Sequence, residues 1–281
     1  MTSTGKALRM RRIIDPASQS TVMFAFSHGT SAPEVMDGIE DPIGRYEAAR
    51  AGGADCIFVA PGLIHTLAPI IGGSRDMGIV AKVTATASRG GTRHQERLIA
   101  SVEHCAELGV DGIVALLPFA PENEPDVITL TAELGESCSR LGIPFVAEAE
   151  YPNAYYGGDD EDYAGDWGVP YLRRSARLCA ELGADIVKSN WPGSAEAFAK
   201  IVGSVAVPVV VAGGSRESDL DLLKKVAAAR SVGAVGCSVG RNIFQHDNPT
   251  AITAALSAVV RGTHTPEEAL AAHLEDLQVT A

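Results

Sequence analysis

Aromatic residues make up only 5% of the 281-residue chain, and nowhere do 18 apolar residues follow one another. A membrane-spanning helix needs such a run, so no membrane partner is expected. The first twenty residues carry basic side chains with no apolar stretch behind them, which argues against a secretory signal. Five cysteines are scattered without a Cys-x-x-Cys pair, the pattern of reduced core thiols in a cytoplasmic protein. The histidines at 28, 65, 94, 104, 246, 264 and 273 show no paired ligand spacing, so neither a metal site nor metal-dependent chemistry is expected. No Gly-x-Gly-x-x-Gly turn follows the first apolar run, which removes the usual signal for a bound dinucleotide, and no cofactor is expected. Basic residues are outnumbered as well: the net charge of −12 argues against a general nucleic-acid or anionic-membrane binder, although a local cationic pocket for phosphate is compatible with it.

What the chain has in quantity is small residues and short apolar runs. With 46% hydrophobic residues, 29 glycines and 15 prolines, it reads as one globular domain of alternating strands and helices with many tight turns. One phrase recurs: Arg-Ala-Gly-Gly-Ala-Asp-Cys-Ile (50–57), Ala-Glu-Leu-Gly-Val-Asp-Gly-Ile (106–113), Ala-Glu-Leu-Gly-Ala-Asp-Ile-Val (180–187) and Arg-Ser-Val-Gly-Ala-Val-Gly-Cys (230–237). Arg-Leu-Gly-Ile-Pro-Phe-Val (140–146) is a looser copy. Each reads as a helix end, a capping glycine with positive φ, and a buried strand.

Eight strands are predicted, at Val22–Phe26, Cys56–Ala60, Ile79–Thr84, Gly112–Leu116, Phe145–Ala149, Asp185–Lys188, Val207–Ala212 and Ala234–Ser238. Helical stretches are predicted at 41–51, 94–107, 126–140, 170–182, 195–202, 216–228 and 249–261. This count and alternation predict a TIM (β/α)8 barrel, with a doubly wound open sheet as the competitor. The barrel is expected over 21–262, preceded by an arm or barrel cap at 1–20 and followed by a helix within 263–281. Thr265-Pro266-Glu267-Glu268 carries the N-cap, first-turn proline and third-position glutamate of a helix start, predicting a terminal helix from Glu267 to about Leu277. The stretch Tyr151–Trp167 reads as a loop after the fifth strand, a lid or an inert surface loop.

In such a barrel the C-terminal strand ends share one mouth. Lys188 stands at the end of the sixth strand on the same face as Ile186, where an amine could form a Schiff base with a carbonyl substrate; snorkelling to solvent is the bland alternative. Its nucleophilic form is neutral, so a pKa lowered by burial or by a second cation is expected, and Lys82 on the third strand is the candidate for that cation or a rival nucleophile. Tyr151 is the candidate acid–base group, a structural tyrosine being the alternative. It shares parity with Ala147 and Ala149, so Glu148 and Glu150 are expected to point away from it. Gly213, Gly214 and Ser215 after the seventh strand, with Gly240 and Arg241 after the eighth, form glycine turns of the kind that cradles phosphate; plain strand-to-helix turns are the alternative.

Asp41-Pro42-Ile43-Gly44-Arg45, Ala54-Asp55, Ala60-Pro61-Gly62, Tyr151-Pro152, Ala184-Asp185-Ile186-Val187-Lys188, Ala212-Gly213-Gly214 and Val239-Gly240-Arg241-Asn242-Ile243-Phe244 together resemble the archaeal-type class I fructose-bisphosphate aldolases. They resemble equally the related aminodideoxyheptulosonate synthases within the deoxyribose-phosphate aldolase superfamily. The resemblance implies a metal-independent Schiff-base mechanism, a phosphorylated sugar or keto substrate, and a homo-oligomer, in this family often a decamer. By position it makes Lys188 the Schiff-base lysine and Tyr151 the acid–base tyrosine, with the turns at Gly213-Gly214 and Gly240-Arg241 as the phosphate cradle. Two departures stand out. Ser27-His28-Gly29 replaces the family's Asp-His-Gly, so His28 or a water held by Ser27 is expected to cover the aspartate's role, or the reaction has diverged. Asn153-Ala154 follows Tyr151-Pro152 where relatives often carry Arg-Gly. The competing functions are a phosphosugar isomerase without a covalent step and a barrel that binds a phosphorylated metabolite without turnover.

Overall fold

A computed structural model describes residues 3–32, 34–71, 77–86, 96–120, 122–150 and 168–274. The chain opens with α1 (Thr4–Met10), β1 (Thr21–Ala25), α2 (Pro42–Ala51), β2 (Cys56–Val59), α3 (Pro61–Ile71) and β3 (Gly78–Lys82). A hairpin follows, β4 (Thr84–Thr86) with β5 (Glu96–Leu98), and then α4 (Val102–Glu107), β6 (Gly112–Leu116), α5 (Glu124–Leu141) and β7 (Phe145–Ala149). The remainder is α6 (Val169–Glu181), β8 (Ile186–Ser189), α7 (Ala195–Val202), β9 (Val209–Ala212), α8 (Asp219–Ser231), β10 (Gly236–Val239), α9 (Arg241–Phe244), α10 (Pro249–Val260) and α11 (Pro266–His273). Every strand but β4 and β5 joins one closed parallel barrel in the order β1-β2-β3-β6-β7-β8-β9-β10, with β10 pairing back onto β1. This is a TIM barrel. No described helix is long and apolar enough to cross a membrane.

The eight expected strands are the eight barrel strands, with ends shifted by a residue or two. The expected helix over 94–107 is corrected: residues 96–98 pair antiparallel with Thr84–Thr86 instead. The helix starts only at Val102, where the Ser101 side chain accepts from the N–H of His104 and ends the competition between extended and helical backbone. Helix α3, between β2 and β3, was not among the expected stretches; its prolines at 61 and 69 mask the helical pattern. The predicted capping box at Thr265 and Glu268 is present and opens α11.

Alternation along the strands sorts the core into two layers. Met23, Cys56, Phe58, Val80, Val114, Val146, Ile186 and Val210 fill the barrel lumen, while the residues that alternate with them pack outward against the helices. Ile13, from the segment after α1, closes the lumen from below. Two residues beyond Val80, Val146 and Ile186 the same inward parity brings Lys82, Glu148 and Lys188 to the upper layer.

The recurring Gly-x-Asp phrase has a structural meaning at the barrel bottom. Asp55, Asp111 and Asp185 each precede a strand and accept the backbone N–H of the neighbouring strand's Val22 (2.7 Å), Ile79 (2.9 Å) and Phe145 (2.9 Å). Their own N–H groups return the bond to the carbonyls of those same residues, closing a two-bond clasp between adjacent strands. A cation then holds each carboxylate: Arg261 on Asp55 (3.0 Å), Arg12 on Asp111 (3.1 Å) and Lys6 on Asp185 (2.8 Å). Two of those cations come from the N-terminal arm, so the arm is tied to the barrel floor by charge as well as by Ile13. The fourth copy carries Val235 in the aspartate's place and makes only the backbone bond, to Val209.

Asp111 is almost fully buried, so its loss leaves the Ile79 N–H without its side-chain acceptor. Asp111→Ala is expected to lower the unfolding free energy by about 1–3 kcal/mol, measured by urea denaturation.

Candidate active site

The C-terminal strand ends surround a cavity of about 680 Å³. Its wall includes His28, Glu150, Lys188, Asn190, the glycine turns at 213–214 and 240, Ser215 and Arg241. The structure therefore brings together Lys188, His28, Gly213, Gly214, Ser215, Gly240 and Arg241, as the sequence reading expected. Lys82 and Ser27 are buried but do not line the cavity. Tyr151 and the loop to Trp167 lie outside the described residues.

Lys188 does not stand alone. Its ammonium lies 2.7 Å from Glu148 Oε1 and 2.7 Å from Glu150 Oε1, and Glu148 Oε2 reaches the Lys82 ammonium at 3.0 Å. All four side chains are buried. The expectation that Glu148 and Glu150 point away is corrected. Parity counted back from Tyr151 fails because β7 ends at Ala149. Within the strand, Val146 faces the lumen and so does Glu148, and the register sets Glu148 directly beside Lys188.

The expected lowering of the Lys188 pKa is corrected too. Burial does work against its charge, but Glu148 and Glu150 outweigh burial and hold the ammonium above its ordinary value. For Glu148, burial opposes ionisation, and the ammonium groups of Lys188 and then Lys82 overcome it, holding the carboxyl down at about 2. Lys82 thus acts on the carboxylate that pairs with Lys188. A buried charge is tolerable only when paired, and these four groups, two of each sign, satisfy one another.

His28 stands against Gly240 and packs edge-on to the Phe244 ring at a centroid distance of 4.9 Å. A Cβ at Gly240 would come within 2.3 Å of the imidazole and 2.6 Å of the Ala25 carbonyl, so only glycine allows this approach. Burial, then the charges of Lys188 and Arg241, pushes the imidazole down to about 3. His28 therefore faces the cavity as a neutral ring.

The loop after β9 is held from several sides. Gly214 adopts φ of 75°, a left-handed turn residue. Asn242 Nδ2 donates to the Ser215 carbonyl (2.9 Å), and Asn242 Oδ1 accepts the Glu217 N–H (3.0 Å), so α9 clamps the loop of the preceding unit. Lys225 of α8 donates to the Gly213 carbonyl (2.6 Å) and pairs with Glu217. Arg216 and Lys224 add positive charge to the same wall. Sequence reasoning missed Glu148, Glu150 and Asn242. The signal for the two glutamates was available: two lysines at inward-capable strand ends require buried carboxylates, and Glu148 lies on the strand beside β8 with Glu150 just past its end.

Residues 21–246 match the family described as DeoC/LacD family aldolase. A 2-amino-3,7-dideoxy-D-threo-hept-6-ulosonate synthase from Halobacterium salinarum is 34% identical over 271 residues, covering 96% of this chain and 97% of the relative. A protein of the same description from Archaeoglobus fulgidus is 31% identical and covers 95% of each. Among solved structures, an archaeal fructose-1,6-bisphosphate aldolase, captured with its catalytic lysine bound to a carbinolamine intermediate, superposes with a TM-score of 0.77 at 22% identity, over 92% of this chain and 100% of that one. A fructose-bisphosphate aldolase from Slackia heliotrinireducens gives 0.81 at 20% identity, over 98% and 92%.

Because the folded imidazole of His28 titrates far below the usual 6.5, its contribution to stability is fully present above pH 6.5 and is lost as pH falls toward 3. The ring's NMR signals are expected to stay at their neutral positions at pH 5. In His28→Gln, the fall in unfolding free energy between pH 6.5 and 4 should be shallower than in the unsubstituted protein.

Proposed function

This chain belongs to the DeoC/LacD aldolase family of aldolase-type enzymes, and from that premise we propose a class I reaction in which Lys188 forms an iminium with the carbonyl of a phosphorylated sugar or keto substrate. The adjacent C–C bond is then made or broken. The observation that carries this reading is a buried lysine on the cavity wall with two carboxylates at 2.7 Å and glycine-rich turns in the same cavity.

The carboxylates address the difficulty that an ammonium is not a nucleophile. One proton passes from Lys188 to Glu148 or Glu150, and the neutral amine attacks the carbonyl carbon to give a carbinolamine. The same proton then leaves with the carbinolamine hydroxyl as water. An ammonium and a carbonyl thus become an iminium and one water, with no net proton taken from or given to solvent. The iminium keeps the positive charge of Lys188, so together with Lys82 it remains balanced by the two carboxylates. During cleavage the electron pair of the breaking C–C bond moves into the iminium to give an enamine, and in synthesis it returns. This arrangement supplies from β7 the carboxylate that Ser27 no longer supplies from β1. His28, neutral, is a hydrogen-bonding group and not a charged one.

Tyr151, beyond the described residues, is the proposed acid–base group at the reacting hydroxyl. Gly214 and Ser215 offer backbone and hydroxyl donors to the substrate phosphate, Gly213 anchors the turn by donating its N–H to the Ser238 carbonyl (2.9 Å), and Gly240 and Arg241 close on the phosphate from the next turn. The relatives at 34% and 31% identity are described as synthases, which favours an aldol-type transfer that builds the C–C bond.

Incubation with dihydroxyacetone phosphate and borohydride, followed by peptide mapping, is expected to place a reduced adduct on Lys188 and none in Lys188→Arg. An adduct on Lys82 instead would move the nucleophile. Absence of any adduct across a set of keto donors would overturn the covalent reading.

A further inference from the structure

One polar group on the cavity wall has no task in the proposed reaction. Ser238, on β10, is only 1% exposed, and its hydroxyl has no hydrogen-bond partner among the described residues. Its side chain faces the lumen: it pairs in register with the lumen residue Met23, while Cys237 and Val239 on either side of it pack outward. Ser238 lines the same cavity as Lys188. On the flanking strands Ala25 and Ala212 line that cavity too, and neither offers a polar side-chain atom. A buried hydroxyl left unpaired costs stability, so one that opens onto a cavity marks a place for a polar occupant.

Strand register sets this hydroxyl level with the reacting amine. Lys188 pairs with Val210, and Val210 pairs with Gly236. In a closed barrel the register is staggered and side chains from alternate strands share a layer, so the β10 residue level with Lys188 is the next inward one, Ser238. Repeating the step passes through Met23 and Cys56 to Phe58, then through Val80 and Gly112 to Val114. From Val114 it passes through Val146 and Ile186 and returns to Lys188, which closes the layer. Phe58 and Val114 are apolar members of the lumen core. A carbonyl group brought to Lys188 therefore meets one side-chain hydroxyl in the same layer, that of Ser238.

We propose that Ser238 is a further catalytic residue, whose hydroxyl donates a hydrogen bond to the carbonyl oxygen of the keto donor while Lys188 attacks. The inference rests on the Schiff-base reading of Lys188. As the amine adds to the carbonyl carbon, one electron pair of the C=O bond moves onto the oxygen. That oxygen receives a proton released by the attacking nitrogen through the carboxylates and becomes the carbinolamine hydroxyl. Ser238 neither gains nor loses a proton. Its bond is strongest where negative charge builds on the oxygen, so it lowers the barrier to carbinolamine formation more than it tightens donor binding.

The test combines two measurements: the rate of reductive trapping with dihydroxyacetone phosphate, at cyanoborohydride high enough that iminium formation is limiting, and the urea midpoint of the free protein. Ser238→Ala should be trapped about tenfold more slowly at saturating donor, the scale of one hydrogen bond, with the half-saturating donor concentration unchanged. Its urea midpoint should equal or exceed that of the unsubstituted protein, because no bond within the protein is lost. Ser238→Cys fills the same space with a weak donor and should be slow as well. Ser238→Thr keeps the hydroxyl and should recover much of the rate. An unchanged limiting rate in Ser238→Ala, or a change confined to half-saturation, would overturn the role of the hydroxyl while leaving Lys188 as the nucleophile. A lowered urea midpoint in Ser238→Ala would overturn it too, because the hydroxyl would then be bonded within the protein. No adduct in the unsubstituted protein with any keto donor would remove the Schiff-base reading, and this inference with it.

Discussion

Two ammonium groups in the lumen of a closed barrel are the constraint on which the upper half of this structure depends. Neither Lys82 nor Lys188 could remain charged there unpaired, because desolvation of an isolated ion costs several kcal/mol even after relaxation. Glu148 resolves this by standing between them, with one oxygen on each, and Glu150 adds a second partner to Lys188. The geometry requires β3, β7 and β8 to present these residues at one height, which is what the Glu148 to Lys188 register and the shared inward parity achieve. A one-residue slip in any of these strands would turn its charge toward the helices.

The barrel bottom uses the same pairing of carboxylate and cation for a different end, with Asp111 buried and Asp55 and Asp185 half-buried. Asp55, Asp111 and Asp185 are held by backbone N–H groups as well as by cations. Their charges are committed to clasping adjacent strands and to holding the N-terminal arm. At the top, the lysine and glutamates bond chiefly to one another, so protons can move among them without breaking a backbone contact. One fold thus separates the ion pairs that clasp the strands at one end from those beside the cavity at the other, the end where TIM barrels carry their active sites.

Much of this was legible before any coordinates. The repeated Gly-x-Asp phrases marked helix end, turn and strand, and the five glycines expected to adopt positive φ, at 53, 109, 142, 183 and 233, all do so. The placement of Lys188 on the Ile186 face, and of the glycine turns after the last two strands, followed from alternation and from closure of the barrel. The hairpin at 84–98 was not legible, because its second strand is only three residues long and sits beside a helical stretch that begins with its own cap. Glu148 and Glu150 were misplaced because alternation was counted from a tyrosine beyond the strand's end. The sign of the Lys188 shift was misjudged in consequence.

The sequence by itself determined which residues form strands, where helices stop and which side chain could serve as the amine, since these depend on periodicity, glycine conformation and caps within a few neighbouring residues. Only the tertiary structure decided which charges meet. Lys82, Glu148 and Lys188 come from three different strands, and whether a lysine is pushed toward or away from its neutral form depends on the distance and sign of its neighbours. Those distances are set by strand register and barrel closure, which local pattern does not encode.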